Sequence, residues 1–129
     1  KQWDKAIAGF KQLNNGSDSL AQNSMYLLAT SYLKIDDKQG AKNAFLFCST
    51  QSQNLLQKEI SLFNYAKLSV ELKEYAQAVV SLDQFMDTYS NSNYLLESKQ
   101  LWVKALALNN NYVQALAAFE SIESPNEEL

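Results

Sequence analysis

LKEYAQAVVSLDQF, residues 72–85, sets Tyr75, Ala78, Leu82 and Phe85 three, four and three residues apart. With about 3.6 residues per helical turn, these four side chains share one face. Ala78 is the informative member. A methyl group in the middle of an apolar stripe lets a second helix backbone approach closely, while Leu82 and Phe85 fill the space to either side.

The same spacing recurs in Trp3, Ala6, Phe10 and Leu13, in Lys38, Ala41, Phe45 and Cys48, and in Tyr112, Ala115, Phe119 and Ile122. The alanines at 6, 41, 78 and 115 are separated by 35, 37 and 37 residues. Self-similarity at a period of about 34 residues, with two helices per unit, is the mark of a helical repeat array. These residues resemble the tetratricopeptide repeat family. The aromatic, Ala and Phe positions match its second helix, and Leu28, Ala29 and Tyr32 match its first, with Tyr65, Ala66 and Ser69 a looser copy. Val103 stands where that family has Gly or Ala, and the units run a little long. The resemblance spans nearly the whole chain. It implies an all-α fold, a right-handed superhelix of antiparallel helix pairs with about seven helices.

In chain order, Lys1–Leu13 is expected to be the second helix of a unit whose first helix is missing. Asn14-Asn15-Gly16 ends it, with Gly16 suited to a left-handed cap. Ser17 or Asp18 caps the next helix, which reaches about Ile35 with Met25, Leu28, Ala29 and Tyr32 inward. Asp36-Asp37 breaks the chain, and Asp36 with Gln39 resembles a capping box ahead of a helix to about Ser49. Thr50–Asn54 is a polar turn, followed by a helix over Leu55–Leu72 that packs through Leu62, Tyr65, Ala66 and Leu72. The helix of the opening stretch ends near Tyr89, and Ser90-Asn91-Ser92-Asn93 forms a turn. Tyr94–Leu108 carries Leu101, Trp102 and Ala105; Asn109-Asn110-Asn111 separates it from Tyr112–Glu123, and Pro125 with Glu127-Glu128 stops the pattern. The expected organisation is one domain, 1–129, with a truncated repeat at 1–16 and repeats at 17–51, 52–90 and 91–125. The pattern begins inside a helix with no starting Met, so the sequence reads as a piece of a longer protein.

Composition agrees with helix and narrows the chemistry. Apolar residues make up 47%, with only three Gly and one Pro. There is no His and no Arg, and every basic residue is Lys. A net charge of −3 gives no positive field to attract nucleic acid. No apolar run approaches the roughly 20 residues of a membrane span, so no direct membrane insertion is expected. The chain lacks a His base, a Gly-rich phosphate loop and a Cys/His metal set. Cys48 falls on the apolar stripe as a small hydrophobe. Asp36-Asp37 suits a helix start, and Glu71, Glu74, Glu127 and Glu128 add no second residue type at catalytic spacing. The expectation is a non-enzyme with no catalytic residues, no metal and no cofactor.

In the family that these residues resemble, first helices line a concave groove that holds peptides or partner segments. Carried over by position, the groove residues are Asn23, Tyr26, Thr30 and Lys34 in one unit, Phe63, Lys67, Val70 and Glu71 in the next, and Glu97, Gln100, Lys104 and Leu108 in the last. Two aromatics and three lysines suit an extended acidic peptide or a helix end. Some members grip a C-terminal carboxylate with Lys and Asn. At the matching positions Tyr26, Thr30, Asn64, Lys67, Glu97 and Leu101, only Asn64 and Lys67 suit that task, and Glu97 opposes it.

The phrase Phe85–Tyr94 resembles the inter-repeat turn of bacterial envelope repeat proteins, the outer-membrane assembly lipoproteins and the Tol-Pal coordinator family, with Ser90 where they have Pro. The resemblance implies a protein-binding scaffold in cell-envelope assembly, at the periplasm or the periplasmic face of the outer membrane, with a cytoplasmic scaffold as the alternative. Two other classes stay open: a glycan or small-molecule module, and a structural or oligomerisation segment of a larger protein. Trp3 and Ala6 lie on a helix without its partner, and an open array end is adhesive. Self-association through residues 1–13 is therefore expected. A single monomeric species in light scattering at high concentration would count against it.

Overall fold

A computed structural model describes residues 18–123. The expected helix Lys1–Leu13, its cap at Gly16, and the Pro125 tail lie outside the described residues. Six helices and no strands are found among the described residues: α1 (Asp18–Lys34), α2 (Lys38–Ser49), α3 (Leu55–Glu71), α4 (Tyr75–Thr88), α5 (Leu95–Leu108) and α6 (Tyr112–Glu123). Each boundary lies within a residue or so of the sequence expectation. By internal contacts the chain divides between Leu68 and Ser69 into two compact units.

One turn geometry is used three times. Asp36, Lys73 and Asn110 all take left-handed φ, at 62°, 66° and 66°. The N–H after each reaches back five residues: Asp37 to Tyr32 O, Glu74 to Ser69 O and Asn111 to Leu106 O, each at 2.8 Å. The left-handed residue itself donates to Leu33, Val70 or Ala107 O at 3.0–3.1 Å. This pair of bonds is the Schellman arrangement, which satisfies the last helical carbonyls and reverses the chain in about three residues. The next helix then opens with the stripe alanine, as Ala41, Ala78 and Ala115 donate to Asp37, Glu74 and Asn111 O. The first of these helices is capped by Asp37, whose Oδ1 accepts from Gly40 N at 2.9 Å. This corrects the expected Asp36–Gln39 box: Asp36 is spent on the left-handed turn, and Gln39 bonds Asn43 instead.

In the first unit α1 packs on α2, burying Leu28, Ala29, Ala41, Ala44, Phe45 and Cys48. Tyr26 meets Phe45 edge-on at 6.0 Å. Gly40 allows Tyr32 in, because a Cβ there would stand 2.6 Å from the ring. The turn into α3 is held from α1 by the fully buried Gln22. Its Nε2 donates to Cys48 O, Gln51 O and Asn54 O at 3.3, 3.2 and 3.0 Å, and its Oε1 accepts from Asn54 N at 2.7 Å. Cys48 Sγ returns a bond to Gln22 O at 3.3 Å.

In the second unit α4 packs on α5 and α5 on α6. Ala78, Leu82 and Phe85 of the opening stretch are completely buried. Leu106, Ala115 and Ala118 form a second cluster, with Trp102, Val103 and Val79 packed against it. Val103 is accommodated where a smaller residue is usual because α6 offers two alanines at that seam. The α6 stripe departs from its α4 counterpart. Ala115 is buried, but Tyr112 and Phe119 are 61% and 51% exposed, since no described helix lies over them.

Lys73 is the residue least suited to its turn, because a Cβ in the left-handed region costs roughly 1–2 kcal/mol and, unlike Asn or Asp, lysine offers no compensating local bond. Lys73→Gly is expected to raise unfolding stability by about 1 kcal/mol in chemical denaturation, and Asn110→Gly by less.

Candidate functional site

The first-helix positions named from sequence separate into three classes. Asn23 and Lys34 of α1, Glu71 of α3, and Glu97, Gln100, Lys104 and Leu108 of α5 are exposed. Tyr26, Thr30 and Lys67 are half-buried. Phe63 and Val70 are buried, at 3% and 4% exposure, so neither is the surface residue expected. The reason lies in α3 itself, which buries Ser61, Leu62, Phe63, Tyr65, Ala66, Leu68, Ser69 and Val70, almost its whole circumference. A helix apolar on most sides is a core helix, and one-face positional reasoning fails on it.

Within the first unit, α1 and α3 present a joined polar face. Gln57 Nε2 donates to Asn23 Oδ1 at 3.0 Å across 34 residues of sequence. Asn54 Oδ1 caps α3 by accepting from Gln57 N at 3.0 Å, which fixes where Gln57 starts. The pair is incompletely used. Among the described residues Gln57 Oε1 is buried with no hydrogen-bond partner, while Asn23 is exposed.

The other polar groups on this side are turned inward on their own helices. Thr30 Oγ1 donates to Leu27 O at 2.8 Å, and Asn64 Nδ2 to Ile60 O at 3.0 Å. Lys42 was not singled out by sequence, yet it is buried with its Nζ 5.8 Å from the Tyr65 ring centroid. Gln57 was missed as well. Its only signal was a cap residue three positions earlier. Glu71, Gln100 and Lys104 belong to the second unit, on α3 and α5.

No group of three or more His, Cys, Asp or Glu that could hold a metal occurs among the described residues. Cys48 is a fully buried thiol. Burial pushes it up from 9.0 to about 11, opposed by the nearby Ser61 hydroxyl. No described helix is long and apolar enough to cross a membrane.

A tetratricopeptide repeat family model matches residues 61–92. This supports the family for the repeat that holds the opening stretch. Repeats of this family generally mediate protein–protein interaction, and theirs is a non-catalytic interaction fold. No curated protein and no solved structure matches the chain.

The Cys48 environment sets a pH dependence. Between pH 9.0 and about 11 the unfolded chain has released the thiol proton and the folded chain retains it. Stability is therefore full below that window and falls as pH rises through it. Denaturation followed from neutral to alkaline pH should show this decline, and Cys48→Ala should reduce its steepness. Thiol reagent should label Cys48 only as fast as the first unit opens.

Proposed function

We propose that this chain is an interaction scaffold that holds a partner peptide or helix end against its first-helix faces. What supports this reading is the polar face on which Asn23 of α1, exposed to solvent, is bonded to Gln57 of α3. Lys34, exposed at the end of α1, gives the face a cation suited to an acidic partner residue. Lys67 extends the basic character along α3, and Tyr26 offers a half-buried ring. Glu71, Gln100 and Lys104 are proposed to act in the same way on the second unit. The repeat boundaries 17–51, 52–90 and 91–125 belong to this proposal. So does a setting in bacterial cell-envelope assembly, which rests on the likeness of Phe85–Tyr94 to envelope repeat turns.

The test is capture of a partner from a lysate of the source cells. Asn23→Ala combined with Lys34→Glu should lower its retention about tenfold or more. Asn43→Ala with Leu46→Ala, exposed positions on α2, should leave retention unchanged. Equal loss with both variants, or none with the first, would move the site away from the first helices. Circular dichroism checks that each variant is folded. Fractionation of the source cells decides the envelope setting: recovery of the native protein in the cytosol alone would exclude it.

A further inference from the structure

In the second unit a set of neighbouring apolar side chains is left open on α6. Tyr112, Val113, Leu116 and Phe119 are 61%, 83%, 65% and 51% exposed. Their spacing places them on one side of the helix, next to the buried Ala115 and Ala118. At the equivalent positions of α4, which packs on α5, Leu82 is fully buried, Tyr75 and Val79 are half-buried and Ala76 is exposed. The α6 stripe is thus built like one that takes a helix. Its charge is one-sided. Glu120 continues the stripe one turn beyond Leu116, Glu123 follows in the sequence, and α6 carries no basic residue. Residues 69–123 hold seven carboxylates against three lysines.

The chain contains one segment with the complementary pattern. Residues 1–13 set Trp3, Ala6, Phe10 and Leu13 at helical spacing and carry Lys1, Lys5 and Lys11 against a single Asp4. We propose that residues 1–13 of one copy dock on the α6 face of another, the apolar stripes meeting and the lysines facing the acidic end of that helix. A second α6 is a poorer occupant, because it would set acidic helix against acidic helix. The contact is head-to-tail. Each copy keeps one free acceptor and one free donor, so association extends into rings or open chains instead of stopping at a closed two-fold dimer.

Sedimentation velocity of the full chain over a range of concentration and salt tests this. The expected result is association that grows with concentration and weakens in about 1 M salt, where charge attraction is screened within a few ångströms. Leu116→Lys with Phe119→Ser should abolish it. Glu120→Lys with Glu123→Lys, a milder change at the polar end of the helix, should weaken it about tenfold or more. Adding Lys5→Glu and Lys11→Glu to that variant should recover much of the loss. A synthetic peptide of residues 1–13 should dissociate the wild-type assemblies. The reversal Asp83→Lys with Asp87→Lys, at exposed positions of α4, should have little effect. A monomer at every concentration, association indifferent to the α6 variants, or equal loss with the α4 reversal would overturn the proposal.

Discussion

Three buried alanines govern how this chain packs. Ala41, Ala78 and Ala115 each open a second helix, and each sits within the first turn after a chain reversal. At that point two helix axes are still close together, and a side chain larger than a methyl group would wedge them apart. Overpacking a filled core typically costs 1–3 kcal/mol. The alanine and the turn are therefore one device. The left-handed residue fixes where the chain comes back, and the small residue allows it to come back tightly. Repetition of both at a 37-residue interval makes the helix pairs alike.

Much of this was legible in the sequence, and for a definite reason. The stripe of Ala, Leu and Phe is periodic, and periodicity survives without coordinates. Helix ends were equally readable because Asp36-Asp37, Ser90–Asn93 and Asn109–Asn111 are polar interruptions between apolar runs. Lys73 gave no such signal. It adopts the same left-handed turn as Asp36 and Asn110, imposed by the packing of what precedes and follows it. Tertiary context overrode local preference there, and it did so again at the cap, where Asp37 and not Asp36 bonds Gly40.

The candidate face was less legible. Positional transfer from a repeat pattern assumes that each first helix shows one side to solvent. That holds for α1, where Asn23 and Lys34 are exposed, and fails for α3, which buries Phe63 and Val70 along with its stripe. The most informative polar contacts were invisible because they join distant residues of no fixed pattern. Gln22 reaches Asn54, and Gln57 reaches Asn23. Glutamine has no strong local preference, so nothing in the sequence distinguishes one that latches a loop from one that is merely solvated.

Trp102 carries a consequence of a different kind. Its ring packs at the seam of α5 and α6, against Leu106, Ala115 and Ala118, while its indole N–H is buried without a partner. An unmatched buried donor costs free energy that a water molecule would relieve, so any opening of the seam lets water bind the indole N–H. The indole therefore senses the wetness of that seam. Trp102 is half-buried at that seam, so lifting of α6 would expose its ring further and should move its emission to longer wavelength. The second unit thus carries its own optical gauge of local opening, at the helix that bears its most exposed apolar face.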